Sequence, residues 1–177
     1  ALPIFPGGTT GVFSNMNVLE VNKTSGAVTI NKKVRINGIF KPTAGNVTLS
    51  DTIVITSNAS GTASIDQVGA TASFTYNGAG KFTVERYIPT GIAHGKGWQF
   101  LAPATKGQTV KQAWQEGAAA FNSNPVPGFG TTLTSDIAGA TGLGFDFYTP
   151  GGGPSIKVYN QATNQFTGIA NTSLPID

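Results

Sequence analysis

Residues 27–64 carry the strongest constraint on the fold. Two segments, AVTINKKVRINGIFKPTAG (27–45) and NVTLSDTIVITSNASGTAS (46–64), align at a spacing of nineteen residues. Val28 matches Val47, Ile30 matches Leu49, Val34 matches Ile53 and Ile36 matches Ile55. Each segment holds two short apolar-alternating stretches and closes in a small-residue turn, PTAG or NASG. Strict alternation puts one face in the core and the other in water. Repetition at a short fixed period implies stacked coils, each burying its neighbour's apolar face. A short parallel β-solenoid is the leading interpretation; an antiparallel meander of equal hairpins fits the same alternation. Upstream, Leu19 and Val21 fall nine residues before Val28 and Ile30, like a partial earlier turn, and downstream Phe74 falls nineteen after Ile55.

Composition narrows the setting. Of 177 residues only 11% are charged, under half the usual share of about 25%. With 24 glycines and many Asn, Thr and Ser, the chain is solvated by amides and hydroxyls, which suits extracellular β-structure. Its net charge of +3 is thinly spread. The densest basic group, Lys32-Lys33-Val34-Arg35, reads as the wet face of a strand, too small a footprint for nucleic acid. The absence of cysteine excludes disulfides, a thiolate nucleophile and Cys-ligated metal. No apolar run approaches the roughly 20 residues of a membrane-spanning helix. A start at Ala1 rather than Met gives the expectation of a processed or excised piece.

Three parts are expected: an extended segment or linker over 1–15, solenoid-like repeats over 16–80, and a compact β-rich cap over 81–177. KFTVERYIP (81–89) reads as a strand whose phase puts Arg86 on the apolar face with Phe82, Val84 and Ile88. A guanidinium so placed needs an acid or several carbonyls. Arg86 is therefore expected to be a structural clamp, with Asp146 in GFDF as its partner. His94 lies among glycines with no second histidine, which describes a turn better than a metal or relay site. WQFLA (98–102) reads as a strand. A helix is expected at about 109–117, opened by a Thr109/Gln112 capping box and anchored by Val110, Ala113 and Trp114. Glu116 falls off that stripe, as a solvated charge would. SIKVYN (155–160) and QFTGIA, joined by the turn QATN, complete the strands.

The ordered motifs VERYIP, GWQFLAP, QTVKQAWQEG, NPVPGFGTTLT, GFDF and PSIKVYNQATNQFTGIANT resemble a module of large Bacteroidota surface proteins. Those are proteins of the adhesin and gliding-motility type, exported by type IX secretion. The resemblance covers about residues 74–172, and it implies a cell-surface location. It supplies no catalytic motif. It also marks Asp51-Thr52-Ile53 as an O-glycosylation pattern with Thr52 as acceptor.

Three functions remain in view. A non-enzymatic structural or adhesive module, part of a fibre or large secreted protein and self-assembling by strand addition, fits the repeat and the low charge. Its partners would be copies of itself or adjacent modules of a longer chain. A carbohydrate-binding accessory module would stack surface polysaccharide on Trp98, Phe129 and Tyr148. A carboxylate hydrolase needs paired acids, and the eight acids form no local pair. No cofactor or metal is expected.

Overall fold

The computed structural model describes residues 14–88, 98–104, 106–120, 123 and 130–176. The chain divides into two compact units, Ala1–Gln99 and Phe100–Asp177. It is mainly β, with a parallel sheet of several strands in the first unit and one short α-helix in the second.

In the first unit β1 (Ser14–Ile30) pairs in parallel with β2 (Val34–Leu49). β2 is then met in parallel by three successive strands: β3 (Thr52–Ile55) at Val34–Ile36, β6 (Ser64–Ile65) at Ile39–Phe40, and β7 (Thr71–Tyr76) at Ala44–Leu49. β2 therefore contributes to three faces of a coil, and the register shifts along β1, at Met16/Val18 and between Val21 and Ala27, mark the same corners. β8 (Lys81–Val84) starts a fourth coil on β3. This is a parallel β-solenoid. The small hairpin β4 (Ser57–Asn58) and β5 (Gly61–Thr62) projects from the third coil.

The nineteen-residue register holds where the alternation is cleanest. Val28 pairs with Val47, Ile30 with Leu49, Val34 with Ile53 and Ile36 with Ile55. It fails in the third coil, where the β4–β5 hairpin and the Asp66–Ala70 turn lengthen the path. Phe74 consequently pairs with Val47, and the partner of Ile55 is Val84. Leu19 and Val21 are not an earlier turn either; they pair with Phe40 and Pro42 on the second face.

Inside, Leu19, Val21, Ile30, Val34, Ile36, Phe40, Val47, Leu49, Ile53 and Ile55 form one buried cluster. Three rings, one from each face, converge within it. Phe40, Phe74 and Phe82 have centroid separations of 6.2, 5.9 and 5.5 Å, with Phe74 and Phe82 edge-to-face, a geometry favoured by the ring quadrupoles. They also join the second, third and fourth coils.

The corners need glycine where a coil's backbone crosses its neighbour. A Cβ on Gly69 would lie 1.9 Å from the Thr43 carbonyl oxygen, and one on Gly80 would lie 1.9 Å from that of Leu49. Glycine is the residue that permits such an approach.

The solenoid reaches Val84, past the expected boundary at 80, because β8 completes its hydrogen bonding on β3. β1 likewise takes in Ser14 and Asn15, which were expected in the N-terminal segment.

In the second unit α1 (Val110–Trp114) has the expected capping box: Thr109 accepts from the Gln112 amide and the Gln112 side chain accepts from Thr109 N. It is shorter than 109–117. Gln115 turns extended to bridge Thr131, while Thr131 N donates to Trp114 O, so the chain leaves the helix at that point. β9 (Thr134–Ser135) pairs with β10 (Phe147–Tyr148) around a 3-10 turn at Ala140–Leu143. β11 (Lys157–Asn160) and β12 (Gln165–Gly168) form an antiparallel hairpin. Val110, Leu133, Ala140, Phe145 and Ile169 make the core, with Trp114, Ile156 and Ile176 packed on it. Residues 98–102 form no strand. Among the described residues no helix is long and apolar enough to cross a membrane.

Gly80→Ala is expected to destabilise the solenoid by about 1–3 kcal/mol through backbone overpacking. Gly61→Ala, where a Cβ would meet nothing within 4 Å, should change stability by less than ~1 kcal/mol. Urea unfolding of the two variants checks the difference.

Candidate functional site

The junction motif builds an ion pair, but not with Arg86. Strand β8 ends at Val84, so the alternation that would aim Arg86 inward stops two residues early, and Arg86 is exposed. The paired acid is its neighbour. Glu85 N still donates to Ile55 O (2.9 Å), which holds the Glu85 carboxylate beside the stack, where Arg35 Nη2 donates to Oε1 at 2.9 Å and Oε2 at 3.2 Å.

Arg35 lies on β2 and pairs in register with Val54, which pairs with Thr83. Its side chain therefore crosses the third coil to reach the fourth. Val54 points away from the core yet is only 4% exposed, consistent with cover by the Arg35 stem, whose methylenes pack while the head is paired. Glu85 Oε2 also accepts from Ser57 N (3.2 Å), and Ser57 Oγ accepts from Tyr87 N (2.9 Å) and shares a 2.7 Å hydrogen bond with Thr62 Oγ1. The network fastens the β4–β5 hairpin and the outgoing chain to three coils. The sequence signal was present in the basic run at 32–35, where a wet face was the expected reading.

Asp146, the other half of the expected clamp, is buried at 7% exposure. Its carboxylate is occupied within its own unit: Oδ1 accepts from Gln115 Nε2 (2.9 Å) and Oδ2 from Leu133 N. Gln115 Nε2 also donates to Gly144 O (2.6 Å), to which Thr172 Oγ1 donates at 3.0 Å. Asp146 thus ties the chain after α1, the start of β9 and the turn at Gly144 into one node. Glu116 is half-buried rather than solvated, with Oε1 accepting from Thr132 Oγ1 at 3.3 Å. Among the described residues the buried Glu116 Oε2 and Gln115 Oε1 atoms have no hydrogen-bond partner.

Among the described residues no three His, Cys, Asp or Glu side chains gather as metal ligands would. His94 and Phe129 lie outside the described residues. Thr52, the proposed glycan acceptor, is 6% exposed; its place on β3 between two coils withdraws the hydroxyl from an enzyme's reach in the folded chain. Trp98 and Tyr148 are exposed, each in its own unit.

Sequence reading missed the exposed rings of the β11–β12 hairpin. Tyr159 and Phe166 pair in register with centroids 5.1 Å apart, and Phe100 lies 6.1 Å from Phe166. All three are at least half exposed. The available signal was a pair of aromatics at matched distances from the QATN turn.

No protein-family model, curated protein or solved structure matches the chain.

Glu85→Ala should cost about 1 kcal/mol, a charged hydrogen-bond network discounted for partial solvent access. Arg86→Ala should stay within about 0.5 kcal/mol. Chemical denaturation of both variants decides which residue is the clamp; a larger loss for Arg86→Ala would reverse the assignment.

Proposed function

We propose that the chain is a non-enzymatic structural or adhesive module of an extracellular surface protein, joined to copies of itself or to adjacent modules by strand addition. The observation that carries this reading is the state of the solenoid's edges. Among the described residues β3 has β8 on its outer side, whereas β6 and β7 of the same coil pair only with β2. At the opposite end β1, among the described residues, pairs only with β2. Such strands offer a row of N–H and C=O groups to any chain with matching alternation.

The side chains at these edges support the same reading. Ile65 and Tyr76, on β6 and β7, are exposed, as is Val68 in the turn between them. A further coil of the same pattern would bury them, as each coil in the stack buries its neighbour. Native solenoids guard such ends with polar caps, and Ile65 and Tyr76 are not of that kind. The resemblance to type IX-secreted surface proteins and the low charge fit an extracellular polymer or adhesin. A carbohydrate-binding accessory module is the second reading, favoured by the exposed rings of the β11–β12 hairpin.

Electron microscopy and sedimentation at rising concentration test the assembly. Filaments or discrete oligomers are expected; residues 1–13, uncharged and outside the described residues, are the proposed donor strand, and their deletion, which spares β1, should abolish assembly with the circular dichroism of the folded chain retained. Monomers at every concentration, or assembly unchanged by the deletion, would contradict strand addition by this segment.

A further inference from the structure

We propose that the β11–β12 hairpin is a stacking platform for a neutral polysaccharide, formed by Phe100, Tyr159 and Phe166. The inference is independent of self-assembly and rests on three features of the hairpin.

The rings are presented, not stored. Every residue of both strands is exposed, so neither face of the hairpin contributes to the core of its unit. A two-stranded hairpin is marginal by itself in water, and two half-exposed rings on one, with a third beside them, are an expense that folding does not explain. Tyr159 and Phe166 stand on one face by register, and Phe100, 87% exposed, extends the row beyond Phe166.

The platform is also held in place. Tyr159 Oη donates to Asn164 Oδ1 across the turn. Asn164 itself sits at φ 53°, a left-handed conformation that asparagine tolerates better than most residues. Asn160 Oδ1 accepts from Ala162 N (3.0 Å) and Thr163 N (3.3 Å), closing the loop. A ring fixed before binding loses little entropy on contact.

The chemistry around the rings selects the class of ligand. The segment SIKVYNQATNQFTGIA (155–170) has a single charged residue, Lys157, and four side-chain amides. Sugar rings present C–H groups on a face and hydroxyls at the rim. They match a ring flanked by amides and hydroxyls that both donate and accept. An acidic polymer would want several cations, and a protein partner would want an apolar surround drier than this one.

Affinity electrophoresis of the full chain in native gels containing xylan, laminarin, galactomannan or dextran tests the proposal, with alginate as the acidic control. Retardation is expected in at least one neutral gel. Phe166→Ala and Tyr159→Ala should each weaken it about tenfold, Tyr159→Phe should retain most of it, and Tyr87→Ala, at an exposed ring of the first unit, should leave it unchanged. Thermal unfolding of each variant confirms the fold. Four results would overturn the proposal: no retardation in any neutral gel, retardation by alginate alone, retardation indifferent to both alanine variants, or loss of self-association in those variants without any polysaccharide effect. Because assembly is read separately by sedimentation, failure here leaves the strand-addition reading standing, and the reverse holds.

Discussion

In a parallel stack a coil can bury its inward side chains only against the equivalent side chains of the next coil. The pairing of Val28 with Val47 and Phe74, and of Val34 with Ile53 and Phe82, is therefore the constraint from which the first unit follows. A one-residue slip would turn each of these side chains to water. Where the three faces meet, Phe40, Phe74 and Phe82 fill the interior from three directions, so closure of the coil and stacking of coils are achieved by the same rings. Outside, hydroxyl and amide groups repeat the register: Asn46 Nδ2 donates to Ser73 Oγ and Thr75 Oγ1, and Thr48 Oγ1 donates to Asn46 Oδ1. The scarcity of charge in the composition is the counterpart of this arrangement, because like charges stacked coil on coil would repel.

The second unit is organised differently. Its small apolar core is supplemented by buried polar groups, Asp146, Ser135 and Thr172, and the carboxylate of Asp146 gathers donors from two segments well separated in sequence. A buried carboxylate is tolerable when hydrogen bonds replace its water, and here they also fix where the helix hands over to β9. The surface of this unit then carries what the core does not need, the paired rings of the hairpin.

The solenoid was legible where alternation was unbroken. Residues 28–36 and 47–55 gave the register, because period two and a repeat of nineteen together leave little freedom. The third coil was not legible, since the β4–β5 hairpin inserts polar residues that carry no periodicity of their own. The capping box of α1 was readable from Thr109 and Gln112 alone; the helix end was not, because a distant residue, Thr131, sets it. Arg86 was misread for a local reason: strand phase predicts a side chain's direction only as far as the strand continues, and this one stops at Val84. The true bridge, Arg35 to Glu85, joins residues 50 apart that come together only after the coils are stacked. Exposure of the hairpin rings was equally hidden, since sequence alone cannot say which of two alternating faces has a core to meet.

The central claim is that successive coils lie parallel and in register, and the cysteine-free chain is a convenient host for testing it by disulfide trapping. Adjacent coils place paired Cα atoms about 5 Å apart, within the disulfide range. Thr48 and Thr75 are such a pair, with outward side chains. The double variant Thr48→Cys/Thr75→Cys should oxidise readily to an intramolecular disulfide under native conditions, seen by the mass of a cross-linked proteolytic fragment, while Thr48→Cys/Thr71→Cys, out of register by one face's length, should remain reduced. Cross-linking of the second pair in preference to the first, or of neither, would contradict the solenoid register on which the account depends.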